Sequence, residues 1–315
     1  MSNEQTTDIN CYKLDLEDLG NYTIVKRSKK EMSPKNVEFK PLIFNQKNLS
    51  LILACIDIDS TYRRSFDENN QDSSAYYIKK HFGNKSTYEK EYLQKSNEEK
   101  LSIIKEVCMR VDKENATHLS VSSLESNDQS GNTKIGIEKM AEYIVKECND
   151  ILDVLKSDVD SSIVDRLSMC VIDQIRKDKD GNDIVLNKLS FASKFCTYMC
   201  RYAFAGKDRD KFSIYDSVLC SILPYYMWKY REHVGVKLTK DMLTKTGKNS
   251  IANLTKVEHY KWYRDIITDI IKGINKENPN LNINRENFDL MLWYYYKGDS
   301  DLISASYAYL KEQIK

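Results

Sequence analysis

Apolar residues recur along this chain at the three- and four-residue spacing of helices rather than the alternation of strands. Leu101, Ile104, Cys108 and Val111 form one stripe. Ile137, Met140, Ala141, Ile144, Cys148, Ile151, Leu152 and Leu155 form a second. Ile163, Leu167, Cys170, Val171 and Ile175 repeat the pattern behind a serine cap at 161 or 162. Leu189, Ala192, Cys196, Met199, Cys200 and Ala203 predict a further helix, ended by Gly206, and an apolar run from Ile214 is stopped or kinked at Pro224. Later helices are predicted from about Leu254 to Ile274, from Glu286 to Tyr296, and from an N-cap at Asp299 to Ile314. The early run from Pro41 to Ile58 is so dense in Leu and Ile that a buried helix and a strand fit it equally.

Two polar stretches interrupt this pattern. Residues 1–36 end in the basic cluster Lys26, Arg27, Lys29 and Lys30 and predict a flexible arm. The segment S-S-L-E-S-N-D-Q-S-G-N-T at 122–133 predicts a boundary or long loop. The expected organisation is therefore an arm at 1–36, a mixed or helical region at 37–121 and a helical domain at 134–315. Four prolines and ten glycines in 315 residues leave little turn chemistry for a sandwich or barrel. The fold class that follows is mainly α, a multi-helix globular protein with a small irregular or β-containing N-terminal part.

Composition narrows the setting. No apolar run reaches the ~18 residues of a membrane span, and the polar start M-S-N-E-Q-T-T-D lacks the pattern of a signal peptide, so a cytoplasmic protein without a membrane partner is expected. The eight cysteines fall mostly at apolar helical positions and read as reduced core residues. Net charge is +1, but an acidic surplus at 121–183 is followed by a basic one at 229–264.

Several chemistries drop out. G-N-K-S at 83–86 and T-G-K-N at 246–249 lack the order of a phosphate loop, and no dinucleotide, nucleophile-elbow or zinc-protease motif is present. His81, His118, His233 and His259 are scattered. Cys196, Cys200 and Cys220 supply at most part of a metal site, without a fourth ligand, and read as small buried hydrophobes. D-K-D-G-N-D at 178–183 matches only the middle of a calcium loop, with Arg176 and Asn187 at its two ends. It predicts an ordinary turn, or a short hairpin with I-V-L.

Lys194 remains. It lies two positions after Ala192 and two before Cys196, beside the buried stripe of its helix. A lysine there is partly desolvated, which increases the free amine available as a nucleophile. Asp216 heads the next apolar run, where a helix N-terminus favours negative charge. An amine and a carboxylate across a helix-loop-helix can together attack a sugar anomeric carbon.

L-S-F-A-S-K (189–194) followed by F-S-I-Y-D-S-V-L (212–219) resembles the helix-hairpin-helix DNA glycosylases, most closely their 8-oxoguanine glycosylase branch. In that family a lysine closes a hairpin of the form L-P-G-V-G-x-K, and an aspartate follows in P-V-D-x-x-[VIL]; Lys194 and Asp216 match these two. The resemblance implies two helical subdomains flanking a cleft, double-stranded DNA as partner, a damaged or modified base flipped out of the duplex, and no cofactor. Lys194 would attack C1′ and form a Schiff base, with strand cleavage as an accompanying lyase activity, and Asp216 would stabilise the cationic sugar. Repair, or defence against foreign DNA, is the implied setting.

The hairpin glycines of the family are replaced here by Ser190 and Ala192, no proline stands at Ser213, and the lysine-to-aspartate gap is a few residues longer. The expected DNA contacts are Lys188, Ser190, Ala192 and Ser193 from the hairpin, with Lys237, Lys240, Lys245 and Lys248 as a phosphate track. Tyr198, Tyr202, Tyr215, Trp228 and Trp293 are the aromatics expected to line a base pocket. The competing expectation is a non-catalytic helical module that binds nucleic acid or protein. There Lys194 only snorkels and Asp216 only caps a helix.

Overall fold

The computed structural model describes residues 12–14, 24–26, 38–58, 67–115, 117, 135–170, 175–177, 183–185, 188–244, 247–297 and 299–314. The polar break at 122–133, most of the 1–36 arm and Lys245 lie outside the described residues. Helices dominate, as the apolar spacing predicts. Two short antiparallel pairs accompany them: β1 (Tyr12–Leu14) with β2 (Ile24–Lys26), and β3 (Ile175–Lys177) with β4 (Asp183–Val185). The second pair flanks the D-K-D-G-N turn expected at 178–182, which itself lies outside the described residues.

The helices are α1 (Gln46–Ile58), α2 (Ser74–Phe82), α3 (Lys85–Tyr88, continued by a π turn at Glu89–Leu93), α4 (Asn97–Asn115), α5 (Ile135–Glu147) and α6 (Ile151–Ser157). They are followed by α7 (Ser162–Met169), α8 (Leu189–Ala203), α9 (Ser217–Lys229), α10 (Ile251–Glu277), α11 (Arg285–Tyr296) and α12 (Ser300–Gln313). The chain divides into two compact units. The first comprises Met1–Thr61, Asp216–Thr255 and Asp265–Lys315; the second comprises Tyr62–Tyr215 and Lys256–Arg264. The segment 122–133, expected as a boundary or long loop, is not among the described residues; the contacts divide the chain after Thr61, Tyr215, Thr255 and Arg264.

The second unit is built around α8, against which α2, α4, α6 and α7 pack. Thirteen of its fifteen residues are buried, so this helix has no solvent face. A single stripe with Lys194 beside it was expected; instead neighbours enclose the helix all round. Two other expectations change in the same unit. The apolar stripe from Ile137 to Leu155 is two helices, because the Asp150 carboxylate accepts the Asp153 N–H at 3.0 Å and starts α6. At α7 the Asp158 carboxylate, rather than Ser161 or Ser162, caps the helix by accepting the Ser162 and Ile163 N–H groups at 3.0 and 2.8 Å.

The first unit has an aromatic core. Residues 39–44 are not helical, and α1 begins only at Gln46, so the run from Pro41 splits into an irregular lead and a helix. Phe44 stacks on Phe288 of α11 (5.6 Å), and the Leu42 N–H donates to Tyr296 Oη at 3.0 Å. Tyr226 of α9 donates to the Leu42 carbonyl, and its hydroxyl lies 3.0 Å from that of Tyr296. Pro224 neither stops nor ends α9, which continues to Lys229. The lost backbone bond is outweighed by burial of Leu219, Ile222, Leu223 and Tyr226 along the same helix.

One buried carboxyl makes the fold pH-sensitive. Glu114 accepts the Ser74 N–H at 2.6 Å and the Ser74 hydroxyl at the start of α2, and burial pushes its pKa from 4.5 up to about 7. The folded state therefore favours the neutral acid. The associated stability is fully present below the unfolded value and is lost as pH rises through about 7, a difference of roughly 3 kcal/mol at most. Glu114→Gln can still accept the Ser74 N–H through Oε1 and can donate to the Ser74 hydroxyl through Nε2, and it cannot ionise. Urea titrations from pH 4.5 to 8 should show the variant gaining on the parent as pH rises; a constant difference would refute the assignment. His81, whose pKa burial lowers, contributes in the opposite sense, and the variant-minus-parent comparison removes it.

Candidate functional site

Lys194 sits in the second turn of α8 with 7% of its surface exposed, the most buried lysine but one among the described residues. The segment expected to form a hairpin before it is the first turn and a half of the helix, which begins at Leu189 behind Lys188. Ala192 and Ser193 are fully buried. As a correction to their expected role, neither side chain offers a surface to a DNA backbone; the half-exposed Lys188 and Ser190 are the hairpin residues still able to do so.

Ser193 has a different task. Its hydroxyl donates to the Ser190 carbonyl at 3.1 Å and accepts the Tyr215 N–H at 3.0 Å. Ser193 precedes Lys194 and Tyr215 precedes Asp216. The immediate neighbours of the two matched residues are thus hydrogen-bonded to each other.

Asp216 caps α9: its carboxylate accepts the Val218 N–H at 2.7 Å, and the residue is half-buried.

The preceding residues are held from another direction. The Ser213 N–H donates to Tyr260 Oη at 2.7 Å, and the Tyr260 hydroxyl donates back to the Ser213 carbonyl. The Tyr263 hydroxyl donates to the Ile214 carbonyl at 2.9 Å, and its ring meets that of Tyr215 edge-on at 5.4 Å. Sequence patterning missed Tyr260 and Tyr263. Their only signal was an i, i+3 tyrosine pair in a polar stretch, Y-K-W-Y, with nothing to show that the hydroxyls reach backbone 47 and 49 positions earlier.

The expected aromatics are distributed over both units. Tyr198, Tyr202 and Tyr215 belong to the second and are buried, whereas Trp228 and Trp293 belong to the first and are half-exposed. Tyr198 donates to Asn115 Oδ1 at 2.8 Å, and the Arg201 guanidinium lies 5.8 Å from its ring. Arg231 lies over Trp228 (5.5 Å) and Lys297 over Trp293 (3.7 Å), so both tryptophans are already covered by cations.

Lys237, Lys240 and Lys248 are exposed on the first unit between α9 and α10. Cys196 and Cys200 are buried in α8 of the second unit and Cys220 in α9 of the first, and burial raises the thiol pKa of Cys196 and Cys200. No group of metal-ligating side chains occurs among the described residues, and no helix there is long and apolar enough to cross a membrane. Comparison with family models, with characterised proteins and with solved structures finds no match.

Proposed function

We propose that this protein is a DNA glycosylase-like enzyme that excises a damaged or modified base with Lys194 as nucleophile. The observation that carries this is the Tyr215 N–H donating to the Ser193 hydroxyl, which ties the residue before a nine-tenths buried lysine to the residue before Asp216. Desolvation of an amine, as a general rule, favours the neutral, nucleophilic form. Lys194 Nζ attacks C1′ of an extruded nucleotide as the C1′–N bond breaks, and the base leaves with the bonding electrons and takes up a proton. Loss of the amine proton and ring opening give a Schiff base at C1′. Removal of a C2′ proton then expels the 3′ phosphate, which cleaves the strand. Asp216 stabilises positive charge on the sugar during the first step, and the exposed Lys237, Lys240 and Lys248 are suited to binding DNA phosphates.

The test is a borohydride-trapping screen of the full chain over duplexes that each carry one modified base. A covalent protein–DNA adduct on at least one of them, absent with the unmodified duplex, is the expected result. Salt-dependent binding to every duplex with no adduct on any would favour the non-catalytic module instead.

A further inference from the structure

The clasp around residues 212–215 does more than pack a loop. Tyr260 follows His259, whose backbone has φ 70° and ψ 161°, a conformation open almost only to glycine and costing a side-chain-bearing residue about 1–3 kcal/mol. α10 consists of two helical stretches that meet at this residue. The Asp165 carboxylate of α7 accepts the Tyr260 N–H at 3.0 Å, capping the second stretch at the break. Beyond the break, Tyr260 and Tyr263 lie one turn apart and on one face. Their hydroxyls engage Ser213 and Ile214 through three hydrogen bonds, and Ser193 supplies a fourth to Tyr215.

Ser213 is fully buried and Tyr260 fully buried, so these bonds form away from water, where each is stronger and its loss more costly. A strained residue persists only where its surroundings over-determine it, and here they hold the three residues that lead into Asp216.

We infer that Tyr260 and Tyr263, set by the break at His259, are positioning residues: they fix residues 213–215, and through the Ser193–Tyr215 bond they set the backbone on which Lys194 stands. The inference rests on the assignment of Lys194 and Asp216 as the reacting pair. Both tyrosines act through other residues and touch no reacting atom. Misplacement of a nucleophile by about 1 Å can cost on the order of 100-fold in rate.

The experiment compares Tyr260→Phe, Tyr263→Phe and the parent with Tyr226→Phe. The last removes an equally buried hydroxyl in the first unit, bonded to the Leu42 carbonyl and beside Tyr296. The first readout needs no substrate: the pH titration of the Lys194 side chain by NMR of the full chain carrying 13Cε-lysine, with the resonance identified by its loss in Lys194→Arg. Tyr260→Phe should move that titration by roughly half a unit or more, Tyr263→Phe by less, and Tyr226→Phe not at all. The second readout is the single-turnover excision rate at saturating duplex, using the substrate that the trapping screen identifies. Tyr260→Phe should lower it about 10- to 100-fold with the duplex Kd unchanged.

A Lys194 titration identical in Tyr260→Phe and parent would overturn the inference, as would equal effects from Tyr226→Phe. Should the parent trap no duplex, the glycosylase assignment fails by itself, and the titration still decides whether the clasp sets Lys194. Should Tyr260→Phe not fold, Tyr263→Phe and Ser193→Ala each break one of the remaining bonds and are read the same way.

Discussion

Lys194→Gln is expected to abolish the borohydride-trapped adduct and to lower base excision by about 10⁴-fold or more, since removing the covalent nucleophile of an enzyme costs on that order. Glutamine keeps the number of side-chain heavy atoms and an N–H donor, one atom shorter, at a site with only 7% exposure, so the loss falls on chemistry before packing. Lys194→Arg sharpens the comparison. Arginine keeps the positive charge and any ion pair, yet its guanidinium does not deprotonate and cannot form a Schiff base. Quenched single-turnover reactions resolved by denaturing gel should therefore show both variants inactive. Excision retained by the arginine variant would mean that the charge, and not the amine, is what the site requires.

Asp216 gives the second large effect, and the structure supplies the means of separating its two roles. Its carboxylate caps α9, and loss of such a cap costs about 1 kcal/mol. Asp216→Ala should therefore lower stability by about that amount. Asp216→Ser restores a capping oxygen and should return stability to within a few tenths of a kcal/mol of the parent. Excision should fall about 10²- to 10³-fold in both, because serine carries no charge to stabilise a cationic sugar. Thermal unfolding and single-turnover rates measured on the same preparations decide the matter. If serine restores excision along with stability, Asp216 is a helix cap and nothing more.

The two effects draw on different parts of the chain's physical chemistry. On the proposed reading, the lysine matters because burial changes an amine's reactivity, and the aspartate because one carboxylate would serve a helix and a reaction at once. The clasp acts beside them, through the side-chain hydroxyls of Ser193, Tyr260 and Tyr263 on the backbone of residues 213–215. That is why Ser193, expected at a DNA surface, is found bonded to Tyr215.

Much of this architecture was legible in the order of residues. Apolar spacing fixed the class of fold and most of the helices: α8, α11 and α12 lie where the periodicity put them, and Asp299 caps α12 by accepting the Leu302 N–H at 2.9 Å. Spacing and capping chemistry are local, so a sequence carries them directly. The continuous apolar face from Ile137 to Leu155 hid the break that the Asp150 cap introduces.

Other features had no local signal. Periodicity gave α8 one buried face, and only its packing against α2, α4, α6 and α7 encloses Lys194 and Arg201. Pro224 reads as a helix breaker until the burial around α9 is seen to outweigh one lost hydrogen bond. The strained conformation of His259 cannot be inferred from a histidine in a helical stretch, because what sustains it is a carboxylate 94 positions earlier capping the next residue. The sequence by itself determined which residues form helices and singled out one lysine and one aspartate. Tertiary structure alone decided how completely Lys194 is enclosed and that the Ser193 hydroxyl beside it meets the Tyr215 N–H, since burial and long-range hydrogen bonds depend on which distant segments meet.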